Sequence, residues 1–398
     1  MLTRIGLTNF KCFGQKVSFE CGRLNVFMGA NGLGKSSVAQ SILLLSQSAL
    51  KNQSVDNLII NGDYVSLDKF VDLLYVDGIN KRSTSFSIEL HYSEDVNPKH
   101  LKLTYQRQQS RTGILKDIEI DGKSKQVSLQ GFGLETPHKK NIEKSIIYNK
   151  EEIASLFYNI VYISANRLGP TRREIINDIN SRNPVGKNGE HRLNVLRSTK
   201  ARYIIPLSTE KVTLTNAVNY WMKEIMNGYS INVHGIEDDD ADVLSMTISK
   251  DNNRTRFKSI NSGFGYSYIL SVIESVLLSQ NNSIIFIENP EAHLHPAAQS
   301  RLAKLFVWAA NNGRQIYVET HSEHILDGLR VWVTKDEVLQ KEDLAIHYFN
   351  SDGSITQMHM DKWGFLEENA PTGFCDQSTV NSLELFRLRF LEEQIHED

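Results

Sequence analysis

GANGLGKSS, residues 29–37, reads as Gly29, four residues, then Gly34, Lys35 and Ser36, the G-x-x-x-x-G-K-[ST] pattern. Gly29, Gly32 and Gly34 let the backbone turn where a Cβ would forbid it. Consecutive N–H groups can then point inward and form a nest for phosphate oxygens. Lys35 reaches the β/γ-phosphates as a point charge, and the Ser36 hydroxyl is placed to ligate Mg²⁺. The helix that follows adds its positive N-terminal end. The pattern needs a strand before it and a helix after it. RLNVFM (23–28) is a short apolar strand candidate. KSSVAQSILLLSQSALK (35–51) has helix formers and an apolar face at Val38, Ile42, Leu45 and Leu50. The nucleotide-binding set is Gly29, Ala30, Asn31, Gly32, Leu33, Gly34, Lys35, Ser36 and Ser37.

The chain has 398 residues, 40% hydrophobic and 23% charged, as a globular protein does. A net charge of −3 argues against a molecule that binds nucleic acid over its whole surface, though a local basic face stays open. Cys12, Cys21 and Cys375 are scattered and lack C-x-x-C spacing, which predicts a reducing, cytoplasmic setting without a disulfide framework. The N-terminus enters an alternating strand pattern directly, so no signal peptide is expected. No apolar run approaches the ~18 residues that span a bilayer, so no membrane association is expected.

Strands are predicted at 1–10, 16–20 and 23–28, with an antiparallel meander over 84–130 in which Asp121-Gly122 marks a hairpin. NIVYIS (159–164) reads as a buried strand, 209–226 as a helix begun by Ser208 or Thr209, and 229–236 and 243–249 as strands. SIIFIE (283–288) and RQIYVET (314–320) are continuous apolar strands. Between them a helix over 296–313 has Pro at its start and Gly at its end. A terminal hairpin is predicted over 344–360, and no heptad run supports a long coiled coil.

A phosphate loop needs an acid at the end of a neighbouring buried strand to hold Mg²⁺. Glu288 meets that need. Its distance along the chain from Lys35, together with the early antiparallel strands, disfavours a small GTPase.

IIFIENPEAHLHP (284–296) followed by YVETHSEHIL (317–326) resembles the Walker B, D-loop and switch-histidine region of ABC-type ATPases. LTNFKCFG, and NSGFGYSYIL (261–270) just upstream of Walker B, are similar to the RecF/SMC-like heads and the ATPase half of the OLD nucleases. ISANRLGP (163–170) and APTGFCDQ (370–377) resemble a bacterial group of stand-alone OLD-like AAA ATPases. That group carries a C-terminal domain of unknown function and is often encoded in antiphage defence loci. The resemblance implies an α/β ABC-type P-loop ATPase head with an antiparallel β-subdomain and an inserted region. The expected divisions are 1–130 (P-loop and β-subdomain), 131–255 (inserted helical or mixed region), 256–350 (signature, Walker B and switch histidine) and 351–398 (hairpin and tail).

The resemblance also implies roles. Glu288 takes the Walker B magnesium position with Ser36, and His321 the γ-phosphate sensor. Ser262, Gly263 and Gly265 take the signature position, which contacts ATP held by a second copy. That role requires a homodimer or higher homo-oligomer around ATP and Mg²⁺. A separate effector protein, a nuclease or toxin, is the expected partner, because the residues after Ser322 are too few for a nuclease domain as well as the hairpin. Asn289 stands where these ATPases carry a catalytic Glu. An amide can hold a water but cannot take its proton. Either hydrolysis is slow and ATP mainly clamps the dimer, or Glu291 serves as the base.

Other clusters have bland readings beside sharp ones. His293, His295, His321 and His324 lack a tetrahedral ligand spacing and read as loop-packing residues plus one phosphate sensor. EDDDAD (237–242) lacks the Gly and distal Glu of a calcium loop and reads as a solvated turn. The basic stretch Arg167, Arg172, Arg173, Arg192, Arg197, Lys200 and Arg202 leaves nucleic acid, an acidic partner or plain solvated charge open. Lys11 is either a turn lysine or a residue near the nucleotide.

Overall fold

The computed structural model describes residues 1–78, 81–126, 149–177, 182–206, 210–236, 243–250, 256–336, 338–366, 371, 374 and 381–387. The EDDDAD turn, most of the 132–158 stretch, Cys375 and most of the 370–377 tail lie outside them.

The site-bearing layer is a six-stranded sheet. Its strands are β3 (Leu24–Gly29), β9 (Ile160–Ile163), β16 (Ile284–Glu288), β17 (Gln315–Glu319), β18 (Leu344–Phe349) and β19 (Ile355–Met358), in the order β19-β18-β3-β17-β16-β9. Only β19 runs antiparallel to its neighbour. Near-continuous apolar runs such as IIFIE are what a sheet buried on both faces requires. In such sheets ligands bind beyond the carboxyl ends of the strands, and GANGLGKSS leaves β3 at that end.

A second sheet is antiparallel. It comprises β1 (Leu2–Thr8), β2 (Val17–Glu20), β4 (Asn57–Ile59), β5 (Ser85–Tyr92), β6 (His100–Gln109) and β7 (Thr112–Ile120), in the order β2-β1-β5-β6-β7-β4, with β8 (Lys123–Gln126) paired to β7. The β7–β8 turn is the expected hairpin, with Asp121 at φ 47° and Gly122 at φ 77°, both in the left-handed region.

Helix α1 (Lys35–Asn52) lies between the two sheets. The sequence predicts one apolar face, but Val38, Ile42, Leu43, Leu44 and Leu45 are all fully buried and Leu50 is only half-buried. The reason is that the antiparallel sheet covers what would be the solvent side. Its polar residues are satisfied locally: Ser46 Oγ donates to Phe157 O (2.8 Å) and Gln47 Oε1 accepts from Val65 N (3.0 Å). Burying each such leucine contributes about 1.5–3 kcal/mol.

The other face of the central sheet is covered by α4 (Leu214–Ile225), α5 (Phe264–Leu278), α6 (Pro296–Asn311) and α7 (Glu323–Lys335). Helix α4 begins later than the sequence suggests. Thr213 is its N-cap, accepting from Asn216 N at 3.3 Å. The preceding Val212–Thr213 (β12) pairs with Arg202–Tyr203 (β11), so pairing takes those residues out of the helix. A small sheet joins β10 (Glu174–Ile175), β13 (Tyr229–Ile236), β14 (Val243–Lys250) and β15 (Arg256–Lys258). Two short helices, α2 (Lys150–Ser155) and α3 (Arg192–Ser198), and three 3-10 turns at Phe70–Leu73, Ser259–Asn261 and Lys341–Asp343 are also described. The 131–255 stretch therefore also supplies β9 to the site-bearing sheet. No helix among the described residues is long and apolar enough to cross a membrane.

Candidate functional site

The phosphate loop has the backbone its glycines allow: φ is 130° at Gly29, 79° at Gly32 and 102° at Gly34. Gly34 is the N-cap of α1, and a Cβ there would lie 2.5 Å from Cys12 Sγ and 2.8 Å from the Phe13 ring. Both the torsion and the space therefore demand glycine. Ala30, Asn31 and Gly32 are exposed at the tip, Leu33 and Ser36 are half-buried, and Ser37 is buried with its N–H on Gly34 O at 3.0 Å. Lys35 is buried and donates to Gly29 O (2.9 Å) and Ala30 O (2.7 Å). Burial lowers its pKa, and the charge of Glu319 opposes that. The Lys11 ammonium hydrogen-bonds to Gln40 on α1.

The Ser36 hydroxyl donates to Glu319 Oε1 at 2.8 Å. Glu319 ends β17, the strand between β3 and β16. Sequence reasoning paired Ser36 with Glu288 and passed over Glu319. The signal was available, since RQIYVET carries an acid at the same strand-end position as SIIFIE. The two acids face each other in register on β16 and β17. Burial raises the Glu319 pKa, as do the charges of Glu288 and Glu291, while the Ser36 hydrogen bond and Lys35 oppose the rise.

Glu288 is held from the opposite side. Its Oε1 accepts from Tyr162 Oη (2.9 Å) on β9 and its Oε2 from Ala165 N (3.2 Å). Arg167, 3% exposed, ties this corner down. Its Nη1 donates to Ser164 O (2.9 Å) and Glu288 O (2.7 Å), and its Nη2 to Asn289 O (2.5 Å).

Asn289 sits at φ 43°, in the left-handed region. Asn tolerates this torsion better than Glu does. The amide at this position therefore has a backbone reason, whatever it does to water. Glu291 Oε1 accepts from His321 N at 3.0 Å, which brings the acid to the strand end that carries the sensor candidate. Burial lowers the His321 pKa, Lys35 lowers it further, and Glu291 and a hydrogen bond to the Gly29 backbone oppose the fall. The phosphate loop, Glu319, Glu291 and His321 thus converge, and Glu288 lies one strand away.

The signature candidates lie apart, at the start of α5. Ser262 Oγ donates to Ser259 O (2.6 Å), and Gly263 is the exposed N-cap. A Cβ on Gly265 would lie 2.6 Å from His293 O, so α5 can pack on that turn only through glycine. Phe264 packs tilted and Tyr268 edge-on against His293, with ring centroids 5.2 and 4.7 Å from its own, and Arg167 lies 5.2 Å over the Tyr268 ring. His293 is therefore a packing residue, and His295 is the N-cap of α6.

Two oxygens bear on a metal. Glu319 Oε2 and Glu291 Oε2 are buried without a hydrogen-bond partner. Hard carboxylate oxygens left unpaired beside a serine hydroxyl suit Mg²⁺. The basic stretch divides: Arg167 and Arg192 are buried and engaged with main-chain carbonyls, while Arg172, Arg173, Arg197, Lys200 and Arg202 are exposed.

Comparison with solved structures agrees with this fold. A crystal structure of an Smc head bound to the C-terminal winged-helix domain of ScpA aligns over 91% of this chain and 98% of its own, with a TM-score of 0.53 at 12% identity. An Smc head with an extended coiled coil, bound to the C-terminal domain of ScpA from Pyrococcus furiosus, aligns over 90% and 96%, with a TM-score of 0.52 at 12% identity. At this identity the likeness speaks to fold: an ABC-type P-loop ATPase head of mixed α/β architecture. A family model described as the AAA ATPase domain matches residues 1–326. The chain belongs to the AAA ATPase domain family.

Proposed function

We propose that this chain is an ATP-dependent switch that binds ATP at residues 29–37, closes into a head-to-head dimer around it, hydrolyses it slowly, and so controls a separate effector protein. The observation that carries this reading is the hydrogen bond between Ser36 Oγ and Glu319 Oε1 within a site that also gathers Lys35, Glu291 and His321. These are the groups needed to neutralise, hold and sense a triphosphate.

Lys35 exchanges its two loop carbonyls for phosphate oxygens. Ser36 and Glu319, with Glu288 in support, would hold Mg²⁺, which would supply charge neutralisation. His321 has a lowered pKa, so at neutral pH its ring is uncharged and can donate its one N–H to a γ-phosphate oxygen. Glu291 has one oxygen on His321 N and the other unpaired, which suits it to position a water and to take its proton. Asn289 can orient a water without deprotonating it, which leaves the proton to Glu291, outside the usual base position, and turnover is slow.

Closure around ATP uses Ser262, Gly263 and Gly265 of one copy against the nucleotide of the other. Phe264 stands 52% exposed at that helix start, as a contact residue would. Nucleotide then acts by shifting the population towards the closed pair. That a head of this fold engages a separate protein has a parallel in the Smc head bound to ScpA. A nuclease or toxin as the effector, in a defence setting, rests on the sequence resemblance alone. With Arg167 and Arg192 of the 167–202 stretch buried in structural roles, direct DNA binding is the weaker reading.

Light scattering during size-exclusion chromatography tests this. The wild type is expected to shift to a dimer in ATP and Mg²⁺, and Lys35→Ala and Ser262→Arg to stay monomeric. A wild type whose mass is indifferent to nucleotide would overturn the dimer mechanism.

A further inference from the structure

The antiparallel sheet carries a second constellation with no part in nucleotide chemistry. Its inner face, with Ile88, Leu90, Leu101, Leu103 and Ile118, is core. Strand alternation turns Glu89, His91, His100 and Glu119 to the outer face. His91 and His100 are direct cross-strand partners on β5 and β6, and their rings lie 4.6 Å apart.

Both imidazoles aim at one oxygen. Glu89 Oε1 lies 3.1 Å from His91 Nε2 and 3.4 Å from His100 Nε2. With metal–ligand bonds near 2.0–2.1 Å, neighbouring ligand atoms of a tetrahedral zinc site stand about 3.3 Å apart. The three ligand atoms all fall within 4.8 Å of one another. His100 Nε2 is buried and without a hydrogen-bond partner. One carboxylate oxygen thus faces two ring nitrogens and satisfies only one.

The surroundings are those of a ligand set. Glu119 Oε1 lies 3.9 Å from His100 Nδ1, near the ring's other nitrogen but beyond hydrogen-bond distance. Lys16 Nζ holds the other Glu89 oxygen at 2.7 Å, which leaves Oε1 as a monodentate ligand. Gly6, opposite Glu89 on β1, leaves room there: a Cβ would come within 3.2 Å of Glu89 Cβ and 3.6 Å of the Lys16 side chain. The side chains are 13–31% exposed, so an ion can enter from solvent.

We propose that Glu89, His91 and His100 form a binding site for a borderline transition-metal dication of the Zn²⁺ class, with an open fourth position, pinning β5 to β6. The imidazole pair disfavours Mg²⁺ and Ca²⁺, which take oxygen ligands. The Lys16 charge opposes a cation, so binding is weaker than at a closed structural zinc site.

Cobalt(II), a spectroscopic stand-in for zinc, tests this on the full chain after chelator treatment. One equivalent per chain is expected to give the visible bands of a low-coordinate nitrogen and oxygen site, displaced by Zn²⁺ but not by excess Mg²⁺. His91→Ala and His100→Ala should each weaken binding by more than about 100-fold, beyond the 10–100-fold of losing an outer partner. Ser36→Ala and Glu319→Gln should leave the bands intact, which separates this site from the nucleotide site. Metal-free circular dichroism checks that the histidine variants fold, and Glu89→Gln serves if one does not. No band in the wild type, bands that survive both histidine changes, or bands lost with Ser36→Ala would each overturn the proposal.

Discussion

Ser36 Oγ donates to Glu319 Oε1 at 2.8 Å, so the acid that meets the phosphate loop's serine lies on β17, one strand nearer than Glu288. Glu319→Gln keeps an acceptor for Ser36 and removes a charge. It is expected to lower ATP turnover by about 100-fold and to raise the Mg²⁺ concentration needed for half-maximal rate. Glu288→Gln should have the smaller effect on Mg²⁺ dependence. A steady-state Mg²⁺ titration of both variants checks the ranking.

The same residue makes a stability prediction. Its folded pKa is raised, so the folded state holds the proton more tightly. Its contribution is present below the unfolded value of 4.5 and is lost as pH rises through the folded value. Glu319→Gln should therefore raise the melting temperature at pH 8 without nucleotide, and ATP with Mg²⁺ should narrow that gap. Thermal scans at pH 5 and 8 would show it.

Asn289 holds φ 43°. Asn289→Glu places a general base at the water position and should raise turnover. The left-handed torsion costs Glu about 1 kcal/mol more than Asn, so the melting temperature should fall by about 2 °C. Single-turnover rates and melting curves on one preparation separate the two effects. An unchanged or lower rate would leave Glu291 as the better base candidate.

Arg167 bridges Ser164 O, Glu288 O and Asn289 O from a buried position. Burial lowers its pKa to about 10, still charged at neutral pH. Lysine cannot reproduce the planar fork. Arg167→Lys should destabilise the chain by about 2–4 kcal/mol by leaving buried carbonyls unpaired, and it should lower kcat more than ATP affinity. Urea unfolding and nucleotide titration measure the two parts.

His347 is 1% exposed, with Nε2 on Glu20 O at 2.9 Å between Phe19 and Phe27. Burial brings its pKa down from 6.5 to about 4, so the neutral ring is the folded form. Its contribution is complete above the unfolded value and is lost as pH falls from 6.5 towards 4, up to about 3 kcal/mol. His347→Gln should flatten the stability profile in that window alone, as equilibrium unfolding at pH 7, 5.5 and 4.5 would report.

Local signals were legible where the chemistry is local. The loop, its flanking strand and helix, the Asp121-Gly122 turn and the Pro296 helix start depend on residues next to one another. What escaped depends on contacts distant in sequence. The full burial of α1 is set by a sheet formed mostly from later residues. The clasp on Glu288 comes from Tyr162, Ala165 and Arg167, far upstream, and the basic stretch stays open between nucleic acid, an acidic partner and solvated charge because nothing local shows that Arg167 and Arg192 turn inward. Strand order, which places β17 between β3 and β16, is a tertiary fact, and the role of Glu319 follows from it.

The most direct test is single-turnover hydrolysis of labelled ATP by the wild type, Lys35→Ala and Glu319→Gln in Mg²⁺. The account predicts slow phosphate release by the wild type, none by Lys35→Ala, and retained ATP binding with strongly reduced release by Glu319→Gln. Release by Glu319→Gln at the wild-type rate would contradict the placement of Glu319 beside Ser36 as the metal-holding pair. Release that persists in Lys35→Ala would contradict the nucleotide site itself.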